Sequence, residues 1–217
     1  ESAFTELQSA GGACLRKSIS SHRSEIGAVH QLDIDIAVWS ENIDGPAIEQ
    51  LAAARKELAF AEYLALTGMY SQAYASLRLF LELSFASVYF SVHELIRRKW
   101  LSGKYDFSWS AALDKDSGLL SKDFVEEFLP VAAEDARQYA ATASKCYRMC
   151  SEFVHGKDGV ARELPLGLVY SAEAFSAWCD VARDASTAVL FLLLIRYFDS
   201  LDESKVTTLQ PTILENF

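Results

Sequence analysis

The residues best suited to chemistry lie in Tyr147-Arg-Met-Cys-Ser-Glu-Phe-Val-His155-Gly156. On a helix Arg148, Ser151, Glu152 and His155 fall at i, i+3, i+4 and i+7 and form one polar stripe, opposite Tyr147, Cys150 and Val154. His155 occupies the last turn, where the negative end of the helix dipole favours an imidazolium. An arginine two turns back can grip an anion through two N–H groups, and an imidazole can carry protons. A phosphodiester lying between them would meet both. The plainer reading pairs Arg148 with Glu152 at i,i+4 and leaves His155 to finish its own helix.

Other groups have the right types but weaker spacing. Arg97-Arg98-Lys99-Trp100 is the densest basic run, and with Lys145 it could touch phosphates while the indole stacks on a base. The ordinary role of such a run is to complement a helix C-terminus. Arg78 and Glu82 interrupt an apolar stretch at i,i+4. They are expected to form a structural ion pair, since an unpaired buried charge costs several kcal/mol or so. With Tyr74, Phe85 and Tyr89 the same pair could instead line a ligand pocket. Cys146 and Cys150 share a helix face with His155 nearby, yet no fourth zinc ligand is evident. Asp33 with Asp35, and Asp180 with Asp184, lack a third ligand at metal spacing. No phosphate-binding loop, GxSxG or dinucleotide fingerprint occurs. No metal and no cofactor are expected.

These groups need helices to position them, and the pattern supplies helices. Residues 3–21 read as one, weakened by Gly11-Gly12, and residues 24–40 as a second, with a strand-like alternation at 32–36. Asp44 and Pro46 announce a third, running to Gly68 with the stripe Ala47, Leu51, Ala54, Leu58, Ala61, Ala65. Residues 70–101 read as the longest helix, apolar nearly all round from Leu77 to Val92. A polar excursion follows at 102–120, with a short helix near 108–113. Ser121 caps another short one. Residues 131–155 carry the stripe Ala136, Ala140, Ala143, Tyr147, Cys150, Val154. After a loop at 157–170, Ser171 caps a final helix with Phe175, Trp178, Ala182, Ala185, Val189 and Leu192 facing inward. In the tail, Leu209, Ile213, Leu214 and Phe217 point to docking on its own domain or on a partner. The expected fold is all-α: a bundle of about five to seven helices with two long central ones.

Half of the 217 residues are hydrophobic (51%), enough for a sizeable core. No linker composition divides the chain and no repeat recurs. The organisation expected is an N-terminal helical extension at 1–45, a bundle at 46–202 and a docking tail at 203–217. A net charge of −10 argues against nonspecific nucleic-acid binding and leaves room for a local basic site or a protein partner. Four cysteines in a chain with a large core read as reduced thiols, hence a cytoplasmic protein. Residues 1–25 show no signal peptide. The most apolar run, 188–195, falls far short of a bilayer span, so no membrane association is expected.

At Arg148 to His155 the chain resembles the HEPN superfamily, whose motif is an arginine, four to six residues, then a histidine near the end of a late core helix. Six residues separate the two here. Arg16 to His22 and Arg23 to His30 also meet the spacing, and the helix-end context singles out the third pair. Ser76-Leu-Arg78-Leu-Phe-Leu-Glu82 is similar to a helix common in HEPN-like proteins. The resemblance covers roughly residues 46–200. It implies a helical bundle, often dimeric, of the kind found among metal-independent endoribonucleases of toxin–antitoxin and antiviral defence systems. Two protomers would pair their motifs into one composite site on RNA, with Arg148 stabilising charge on the scissile phosphate and His155 assisting the ribose 2′-hydroxyl. The alternative is a non-catalytic module of the same shape, antitoxin-like, regulatory or scaffolding, that binds a protein partner. Met149, where the family commonly has a polar residue, and the acidic net charge favour it; Lys157, where many active members have tyrosine, is a second departure from the catalytic pattern.

Overall fold

The computed structural model describes residues 2–46, 48–156 and 164–217; Ala47 of the third stripe, Lys157 and the rest of 157–163 lie outside it. Among the described residues the chain is all helical, without a strand. The described residues form ten α-helices, more than the five to seven expected. Six are long: α1 Ser2–Ser21, α2 Arg23–Asn42, α3 Ile48–Leu66, α4 Tyr70–Val92, α8 Ala136–Val154 and α9 Ala172–Tyr197. Four are shorter: α5 Glu94–Leu101, α6 Trp109–Ala112, α7 Lys122–Phe128 and α10 Glu203–Asn216.

Part of the surplus comes from a break at His93 (φ −127°, ψ 65°) in what the pattern reads as one helix over 70–101. Core burial stops at Phe90, and no residue of α5 is buried. Turning the chain at His93 lets Trp100 fold back on Phe90, ring centroids 5.1 Å apart. Likewise Pro130 opens only a short 3₁₀ turn, and α8 starts at Ala136. Pro211 lies inside α10. Asp44 places its carboxylate 2.8 Å from Lys205 Nζ.

The strand-like alternation at 32–36 yields to helical spacing. Val29, Leu32, Ile36 and Trp39 form a buried stripe, while Ile34 is exposed. These residues of α2 share one core cluster with α3, α4, α8 and α9.

α3 and α4 make the closest pair, and α4 also packs on α8 and α9. The turn between α3 and α4 closes at Gly68 (φ 82°), where a Cβ would come within 3.1 Å of Cys14 Sγ. α4 is the one described helix with the length and mean hydropathy (1.3) of a membrane crossing, a stretch longer than the apolar run at 188–195. Here Tyr74, Leu77, Phe80, Leu81 and Phe85 bury it at the centre of the bundle. The second half of α9 is enclosed on every side from Ala188 to Ile195. Ser171 and Asp202 cap α9 and α10, accepting from Ala174 N (3.1 Å) and Lys205 N (2.9 Å). α10 lies on α2, with Leu209 buried and Asn216 Nδ2 donating to Asp35 (2.9 Å).

Candidate functional site at the end of α8

α8 presents three faces. Its inward face buries Ala143, Cys146 and Cys150, while Val154, expected in that stripe, is exposed and Phe153 packs in its stead. Burial drives the Cys146 thiol up to about 12 and the Cys150 thiol up as well, so both stay protonated. Cys146 and Cys150 face the core while His155 is exposed, so the three do not converge on one point. Among the described residues no three His, Cys, Asp or Glu side chains cluster closely enough to hold a metal.

The second face clamps α8 to α4. Tyr147 Oη accepts from Arg78 (2.8 Å) and donates to Glu82 (2.8 Å), while Arg78 Nε bonds Glu82 directly (3.2 Å). Burial and the Glu82 carboxylate push the Tyr147 phenol up, so it remains a donor. The ring is sandwiched between the Arg78 guanidinium (4.9 Å) and the Trp109 indole (4.2 Å, nearly parallel). Two turns on, Phe153 stacks on Tyr74 at 3.9 Å. The pair Arg78–Glu82 therefore has a third member, Tyr147, which helical periodicity assigns to the apolar stripe.

The outward face carries Arg148 and His155, both exposed, with Ser151 and Glu152 half-buried between them. Ser151 Oγ donates to the Tyr147 carbonyl (2.8 Å). Among the described residues no ion pair joins Arg148 to Glu152, and neither Arg148 nor His155 has a side-chain partner. His155 caps α8 (φ −89°, ψ 1°), its N–H bonded to Ser151 O (3.0 Å). On either side of it, Phe153 and Gly156 line a cleft of about 390 Å³, closed by residues 68–72 and 164–168. No family model, curated protein or solved structure matches the chain.

The other arginine–histidine spacings end differently. His22 is buried, and His30 Nδ1 lies 3.9 Å from Glu62. The basic run is largely neutralised. Arg97 grips Glu94 through Nε and Nη2 (2.6 and 3.1 Å), Arg98 adds a third bond (2.7 Å), and these donors pull the Glu94 carboxyl down to about 2. Lys99 is exposed, and Lys145 sits 3.7 Å from Asp184 on the surface.

A second polar constellation escaped the sequence reading. Ser176 Oγ donates to Glu25 Oε1 (2.6 Å), Glu25 Oε2 meets His22 Nδ1, and His22 Nε2 meets Tyr170 Oη (2.8 Å). The i,i+3 spacing of His22 and Glu25 is a local signal. Tyr170 and Ser176 reach them across 148 and 151 residues with none.

Proposed function

We propose that the chain is an HEPN-like helical protein whose Arg148–His155 face forms, with a second copy, a metal-independent endoribonuclease site of the kind used by defence or toxin effectors. The observation that carries this reading is an arginine with no side-chain partner among the described residues, on the same exposed face as a helix-ending histidine. Seven residues at about 1.5 Å each set the two about 10 Å apart along the axis. Helical side chains lean toward the N-terminus, so Arg148 leans away from its own His155. Two α8 helices crossing antiparallel at Ser151–Glu152 would bring each Arg148 opposite the other copy's His155. A phosphate held there would meet a bidentate cation and a proton carrier, and the neighbouring cleft falls in the range that accepts a small ligand. Four buried free thiols suit a reducing, cytoplasmic setting. The test is cleavage of single-stranded RNA in chelator. Arg148→Ala and His155→Ala should each abolish it, and cleavage surviving either change removes that residue from the mechanism.

One observation favours a non-catalytic helical module that binds a protein partner: Arg97, Arg98 and Lys145 all face acids, in a chain of net charge −10. That reading expects no cleavage and a stable complex with a partner whose surface is basic or apolar.

A further inference from the structure

The Ser176–Glu25–His22–Tyr170 chain joins the break between α1 and α2 to the start of α9, and its order fixes the direction of its protons. The Ser176 hydrogen bond, with help from His22, holds the Glu25 carboxyl below its ordinary range. An ionised Glu25 can only accept, so the proton between it and His22 sits on Nδ1. In the Nδ1-protonated neutral form of the ring, Nε2 carries the lone pair that can accept from the Tyr170 hydroxyl, 2.8 Å away. This is the contact by which a base activates a nucleophile, with a carboxylate setting the tautomer behind it.

The surroundings suit that role. His22 is shielded from water, flanked by Phe175 (4.8 Å between centroids), while Tyr170 is only half-buried. The backbone after Tyr170 is pinned: Ser171 N–H donates to Tyr70 Oη (3.1 Å), which donates back to the Ser171 carbonyl (3.1 Å). Lys17 Nζ stands 5.9 Å from the Tyr170 ring centroid, and exposed Arg23 follows His22 in sequence. Lys17 is thereby placed to hold an anionic reactant against the Tyr170 ring.

We propose that Tyr170 is a nucleophile activated by His22 and accepts a phosphoryl group from an anionic phosphoryl donor. Tyr170 Oη bonds to phosphorus, and the bond from phosphorus to the leaving group breaks. The leaving group departs with the electron pair, and the phenolic proton passes to His22 Nε2, where Glu25 stabilises the imidazolium. The probe is an alkyl fluorophosphonate applied to the full chain, whose leaving group is fluoride, with adducts mapped by peptide mass spectrometry. One adduct is expected, on Tyr170 and on none of the other eight tyrosines. Tyr170→Phe should remove it. His22→Gln should slow labelling by about 100-fold or more, and Glu25→Gln, which frees the tautomer, by about tenfold or more. Arg148→Ala should label as wild type, so that this site and the α8 site stand or fall separately. Adducts only elsewhere in the wild-type chain would overturn the proposal, as would equal labelling of Tyr170 in a His22→Gln or Glu25→Gln chain that keeps its helical circular dichroism.

Discussion

Mixing two inactive variants tests the α8 arrangement most sharply. If each site takes Arg148 from one copy and His155 from the other, an Arg148→Ala chain paired with a His155→Ala chain holds one intact site and one lacking both groups. Random exchange makes about half of all dimers mixed, so the mixture should regain about a quarter of wild-type activity. Each variant alone should sit about 10²–10⁴-fold down. The quarter follows from geometry: Arg148 leans away from its own His155 across about 10 Å of helix, and an antiparallel crossing at Ser151–Glu152 reverses that separation. The assay is single-stranded RNA cleavage in chelator after the chains have exchanged, with exchange verified by co-purification of differently tagged copies. A mixture that exchanges yet stays at the level of its components refutes the shared site. A site within one protomer predicts that failure.

Three further outcomes follow from the fold. Tyr147→Phe removes the hydroxyl bridging Arg78 and Glu82, which keep each other as partners; a loss of about 1 kcal/mol, or about 2–4 °C in Tm, is expected by calorimetry. Glu62 is held above its ordinary value by burial, against a lesser opposing pull from His30, so its deprotonation opposes folding as pH rises from about 4.5 through the folded value. Glu62→Gln should therefore raise stability at pH 7 and leave it nearly unchanged at pH 4; equal effects at both would refute the assignment. Burial keeps the Cys146 and Cys179 thiols near 12, so iodoacetamide at pH 8 should alkylate neither in the folded chain and both after denaturation.

Much of the helical plan was legible because periodicity records burial. The stripes Leu51, Ala54, Leu58, Ala61, Ala65 and Phe175, Trp178, Ala182, Ala185 all lie in the core. The caps at Ser121 and Ser171 were legible because hydroxyls before apolar runs bond the first free N–H groups. What failed depends on contacts distant in sequence. The break at His93 follows from Trp100 returning to Phe90, and the Asp44 carboxylate meets Lys205, 161 residues on. Tyr147 reads as apolar by spacing, and only Arg78 and Glu82, 69 and 65 residues earlier, make it polar. The stripe of Arg148, Ser151, Glu152 and His155 was legible as one helical face. Whether another copy faces it is not encoded in helical spacing.

The structural and the chemical roles assigned to α8 reinforce each other. Tyr147, immediately before Arg148, is fixed by two hydrogen bonds and two ring contacts, and Phe153, two residues before His155, is fixed by its stack on Tyr74. These clamps bracket the outward face and set the rotation of the helix about its axis. A helix pinned at both ends of a seven-residue span presents its arginine and its histidine with little freedom to turn, which a site shared between two copies requires. On the proposed reading Arg78 and Glu82 would act on the outward face at one remove, as positioning residues. Loosening them should lower any activity of Arg148 and His155 more than it lowers stability, whereas a purely structural pair would move stability alone.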